Sequence, residues 1–102
     1  MIVQYYKVMG EEYIPEVGEF IVDGDEVIGF VHKAYENTYD CVLFDVTEFE
    51  EYENIICLAD EVRWPTVVKM MKEAVMANMS LYDEWKAFLE MENINGRFEE
   101  AQ

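Results

Sequence analysis

The chain has 102 residues, 52% hydrophobic and 15% aromatic, which is enough apolar material for a single folded domain over 1–102 and too much for a disordered acidic tail. Asp and Glu number 23 against seven Lys plus Arg, a formal charge of −16, whereas solubility asks only about 2–8 of a small domain. That sign argues against direct contact with nucleic acid, and it leaves a basic partner, cation binding or a salty habitat to explain the excess.

Ile2 to Val8 is rich in β-branched and aromatic residues and predicts a first strand. Met9-Gly10-Glu11-Glu12 is a turn, and Pro15 forces Ile14 into extended backbone. Glu19–Val22 and Val27–Val31, the latter running on toward Tyr35, read as a hairpin around Asp23-Gly24-Asp25, because Gly accepts positive φ without steric cost. Gly29 inside the return strand predicts a bulge or sharp bend. After a turn at Glu36-Asn37-Thr38, Tyr39–Val46 alternates, with Val42, Phe44 and Val46 on one face and Cys41, Leu43 and Asp45 on the other. Ile55–Ala59 is a fifth apolar run, expected to be a buried strand.

The second half changes period. Thr66 after Pro65 reads as an N-cap, followed by Val67, Val68, Met71, Ala74, Val75 and Met79 at helical spacing, with Lys69, Lys72 and Glu73 on the wet face. Ser80 and Asp83 form a capping-box variant for a second helix, whose apolar stripe is Leu81, Trp85, Phe88 and Leu89. Asn95-Gly96 would end it, and 97–102 would be a tail. The expectation is α+β: residues 1–62 mainly β, a small curved antiparallel sheet of about five strands, then two C-terminal helices within 66–95. Pro15, Gly18, Phe20-Ile21-Val22, Gly24, Gly29 and Val31 form a pattern that resembles SH3-like barrels, which would imply a closed version of that sheet.

No catalytic motif emerges. His32 is the sole histidine, and pairing it with Cys41 or Cys57 as nucleophile has no support from spacing. The glycines fit turns and not a phosphate-binding loop. Asp23-Gly24-Asp25-Glu26 fails calcium-loop spacing, since Val27 and Ala34 fall where ligands belong. One His and two Cys do not make a zinc site, so the chain is expected to use no cofactor. Cys41 and Cys57 lie in apolar runs and predict buried free thiols. Met1-Ile2-Val3-Gln4 has neither the basic start nor the apolar core of a secretory leader, so the protein is expected in the cytoplasm.

Charge is the remaining clue. Residues 8–61 hold sixteen acids against Lys33 alone. Glu48-Phe49-Glu50-Glu51-Tyr52-Glu53 is the densest stretch, four carboxylates with two rings that would act as apolar anchors. Glu11, Glu12, Asp23, Asp25 and Glu26 extend the acidic zone. At one phosphate charge per ~1.7 Å of duplex, sixteen charges equal ~27 Å of DNA, the scale of a domain this size. In size, composition and lack of catalytic residues the chain resembles small acidic inhibitors encoded by bacterial viruses and mobile elements. That resemblance implies a non-enzymatic protein that occupies the DNA-binding groove of restriction, DNA-repair or CRISPR enzymes, an anti-defence role exercised in the host cytoplasm. The alternative is an interaction module without DNA mimicry, either an SH3-like peptide binder or a homodimer through the Met-rich helices, where Met70, Met71, Met76, Met79 and Met91 fall.

Overall fold

The structure, a computed structural model, describes residues 2–10, 12–46 and 53–92. Strands β1 (Val3–Met9), β2 (Phe20–Asp23), β3 (Glu26–Ala34), β4 (Thr38–Phe44) and β5 (Ile55–Ala59) form one antiparallel sheet in the order β2-β3-β4-β1-β5. Helices α1 (Trp64–Ala77) and α2 (Tyr82–Met91) follow, joined through a 3₁₀ turn at Met79–Leu81. The expected α+β arrangement is therefore present. The sheet is open, with β2 and β5 as its edges, so the SH3-like closure is not confirmed.

Both helices pack on one face of the sheet. Val3, Phe30 and Val42 meet Val67, Met71, Ala74, Trp85, Phe88 and Leu89 in one buried cluster. Trp85 is its hub: the ring lies edge-on to Phe30 with centroids 5.0 Å apart, 4.6 Å from Phe20, and its Nε1 donates to the Gly18 carbonyl at 2.9 Å. Truncating such a side chain to Ala costs about 3–5 kcal/mol. The opposite face has a second, smaller cluster of Tyr6, Val8, Cys41 and Leu43, edged by Ile21, Tyr39, Val46, Ile55 and Cys57.

The glycine predictions hold where geometry demands them. Gly24 has φ +64° at the hairpin tip. A Cβ on Gly29 would fall 2.1 Å from the Val42 carbonyl oxygen, and the β2–β3 register shifts beside it, between Ile21 and Val22. Five expectations need correction. Ile55–Ala59 is an edge strand with Ile56 and Leu58 exposed, not a buried one, because only β1 pairs with it. Val46 packs with the second cluster and not with Val42 and Phe44, because Asp45 takes φ +54° and flips the alternation. Thr66 lies within the first turn of α1, whose N-cap is Arg63; Pro65 sits at the position where a missing N–H costs nothing. Ser80 does not cap α2, which starts at Tyr82; its hydroxyl donates to Asn78 Oδ1. Met79 is off α1 and 59% exposed. The predicted helix end at Asn95-Gly96 and the 97–102 tail lie outside the described residues, and α2 is described as far as Met91.

Candidate functional site

The register fixes where each carboxylate stands. β2 leads into the Asp23–Glu26 hairpin at one end of the sheet, which also holds the Val3–Phe44 end of the β1–β4 ladder. Ala59, opposite Tyr5, brings β5 to that same end. Asp45 is anchored there by two bonds, its amide to the Ile2 carbonyl at 2.8 Å and its Oδ1 accepting from the Ile2 amide at 2.7 Å. The hairpin end thus carries Asp23, Asp25, Glu26, Asp45, Asp60 and Glu61, all exposed. At the other end Gly10 donates to the Asn37 carbonyl and Asn54 meets Met9, so Glu12, Glu36 and Glu53 cluster there instead.

The candidate residues are consequently split. Asp23, Asp25 and Glu26 share the hairpin end, whereas Glu12 and Glu53 belong to the opposite end. Glu11, Glu48, Phe49, Glu50, Glu51 and Tyr52 lie outside the described residues. Sequence reasoning missed Asp45, and it left Asp60 and Glu61 out of the candidate set. The signal available was the strand register, since all three follow or precede strands that end beside the hairpin.

Between described residues, Lys7 Nζ pairs with Asp40 Oδ1 at 2.7 Å, and His32 Nε2 lies 3.6 Å from Glu73 Oε2. No ion pair between described residues involves the exposed hairpin-end carboxylates. Local hydrogen bonds do organise one acidic turn: Glu19 accepts from the Glu16 amide and from Tyr13 Oη at 3.3 Å, and the Glu19 charge raises the Tyr13 pKa.

A second constellation lies on the helix-covered face. The β3–β4 register shifts between Val31 and Lys33, leaving His32 as the extra residue of a bulge, with its ring toward β1 and α1. His32 is 7% exposed and Asp40 is 5% exposed. Tyr5 Oη is 2.8 Å from His32 Nδ1 and 3.4 Å from Asp40 Oδ2. Tyr35 Oη also donates to Asp40 Oδ2, at 3.3 Å, and Lys7 lies 4.7 Å from the Tyr35 ring centroid. One proton arrangement serves all of these but the longer Tyr5–Asp40 contact. Tyr5 donates to Nδ1, the shorter contact, which leaves the His32 proton on Nε2 facing Glu73; Asp40 accepts from Lys7 and Tyr35.

Burial lowers the His32 pKa against the opposing pull of Glu73, so the ring is neutral at pH 7. Burial, and then the Asp40 charge, raises the Tyr5 pKa, while the hydrogen bond to Asp40 raises that of Lys7. A phenol held protonated and a lysine held charged are poor bases, and the cluster works as a tie between β1, β3, β4 and α1. His32 touches no thiol: Cys41 packs on the other face, where burial pushes its pKa up to about 12, and the Cys57 thiol lies 3.2 Å from Asp60 Oδ1. Neither cysteine is in a disulfide; Cys41 is buried as expected and Cys57 only half-buried. Among the described residues no three His, Cys, Asp or Glu side chains converge as metal ligands, and no helix is long and apolar enough to cross a membrane.

Comparison with protein families, with curated proteins and with solved structures finds no match to this chain.

Proposed function

We propose that the protein is a non-enzymatic inhibitor or regulator of a basic, nucleic-acid-handling protein, acting in the cytoplasm and replacing phosphates with its own carboxylates. The observation that carries this reading is the set of six exposed carboxylates at the hairpin end, with no cation paired to them among the described residues. Crossing from β2 to β5 takes four strand spacings, about 19 Å. One strand of duplex DNA places about six phosphates along that length, at ~3.4 Å of axis each. The hairpin end therefore matches the charge of one nucleic-acid strand, not of both. A basic groove facing it would be steered by long-range attraction and weakened by salt.

The test is inhibition of purified restriction, glycosylase and CRISPR nucleases at increasing salt. Inhibition of a member of the panel should fall log-linearly with salt, as displaced-counterion binding does. Replacing Asp23, Asp25 and Asp60 together with Lys should abolish it while leaving the fold intact. Inhibition that ignores both salt and charge reversal would sink the reading.

A second reading has its own observation. Met76 is 78% exposed and Met91 is 72% exposed, an adaptable apolar surface on the helices suited to a homodimer or a protein-interaction module. Sedimentation at high salt, where repulsion between copies is screened, separates the two.

A further inference from the structure

The two edges of the sheet are treated differently. Both edge ladders contain a register shift, but β2 is only four residues long and ends in Asp23, ordinary devices that blunt an edge. β5 has five residues, Ile-Ile-Cys-Leu-Ala, with neither a charge nor a proline. Its helix-side residues Ile56 and Leu58 are 45% and 44% exposed, because the helices pack on Val3, Phe30 and Val42 and leave the β5 margin uncovered. Exposed carboxylates bracket the strand, Glu53 before it and Asp60 and Glu61 after it.

We infer that β5 with Ile56 and Leu58 is a docking strand for an extended, Lys- and Arg-bearing segment of the partner, which adds to the sheet beside it. The inference rests on the basic-partner reading above and supplies its apolar anchor. Ile56 and Leu58 are both exposed on a five-residue strand, Leu58 at the bulge opposite Tyr5 and Tyr6, so they suit side chains of an extended segment and not a helix repeat. The strand is about 16 Å long, which places cations at both ends of a five- to seven-residue segment against Glu53 and Asp60. A second copy of this chain is the wrong occupant. Antiparallel β5–β5 pairing sets Glu53 of one copy against Asp60 and Glu61 of the other, and parallel pairing sets Glu53 against Glu53, with −16 on each chain.

The experiment titrates the full chain with a synthetic seven-residue peptide alternating Lys and Val, followed by amide NMR shifts at low salt. A second peptide carries the same side chains with alternate amides N-methylated, so it keeps the charge and loses the ladder. Shifts should centre on residues 55–59, with the methylated peptide bound about tenfold more weakly. The double variant Ile56→Thr, Leu58→Thr keeps charge and strand propensity and should weaken the first peptide by a similar factor. Equal affinity for both peptides, or shifts centred on Asp23–Glu26, overturns the docking strand. If the double variant also retains full salt-dependent inhibition of a nuclease, the strand proposal falls and the charge reading stands. If the peptide docks on β5 but no DNA-handling enzyme is inhibited, the strand stands and the charge reading falls. A dimer that dissolves on Ile56→Thr, Leu58→Thr substitution would assign β5 to self-association and overturn the proposal.

Discussion

Asp40 and Asp25 are the same residue type on the same sheet, and the fold uses them in opposite ways. Asp40 is buried, accepts from Lys7 and Tyr35, lies 3.4 Å from Tyr5 Oη, and joins β4 to its neighbours. Asp25 stands at the tip of an exposed hairpin with no ion-pair partner among the described residues. The cation of β1 is spent inside the sheet's own polar cluster, so it neutralises nothing at the surface. A carboxylate that stabilises the fold and one that is available to a partner are thus distinguished by what faces them, and net charge alone does not separate them.

The sharpest way to break this contrast is to neutralise each in turn. Asp40→Ala should destabilise by about 1–3 kcal/mol, because it strips the acceptor from Lys7 and Tyr35. Asp25→Asn should stay within about 0.5 kcal/mol, with any change toward greater stability as repulsion falls. Equal losses in urea midpoints would erase the distinction.

Acid should separate the two regions by sign. Protonating surface carboxylates relieves repulsion, whereas the His32 pKa is lowered from 6.5, so the unfolded chain takes up that proton first. The His32 contribution is present above pH 6.5 and is lost as pH falls toward its folded value. Relative to His32→Gln, the wild type should therefore lose stability as pH drops from about 7 to about 5. A constant gap between their urea midpoints across that range would contradict a neutral, buried His32. The thiols give the smallest effect. Cys57, half-buried, should react with a thiol reagent in native buffer, and Cys41 about a hundredfold more slowly, by way of unfolding. Comparable rates would place both at the surface. At the alkaline extreme, the raised Cys41 pKa costs stability as pH climbs from 9 toward about 12.

Local chemistry made much of the fold legible. The Gly24 turn, the alternation of Cys41 to Phe44 and the Trp85-Phe88-Leu89 stripe need only near neighbours in sequence, and each is where the pattern puts it. The polar cluster was not legible: alternation from Phe30 puts His32 on the helix-covered face, but the slip that sets Lys33 and not His32 in register with Asp40 depends on the partner strand. Asp40 shares a strand with Cys41 and looks like any surface acid until Lys7 is found opposite it in β1. The hairpin-end grouping failed for a similar reason. Asp45 and Asp60 are far apart in sequence and share one end of the sheet only through the order of strands. Ser80 misled because a capping-box spacing also fits a 3₁₀ turn held by Asn78.

The position of β1 has a consequence for synthesis. This strand is made first, yet it lies between β4 and β5, and its β4 partners are roughly 30–40 positions further on. The β2–β3–β4 meander pairs neighbours in sequence and is free to form as it leaves the ribosome. Val3 to Val8 must wait, apolar and unpaired, until β4 emerges. Final assembly is thus a closing step in which the N-terminal strand slots in beside β4 and then offers its other edge to β5. A block on the first ten residues would leave a three-stranded meander and a β5 with nothing to join.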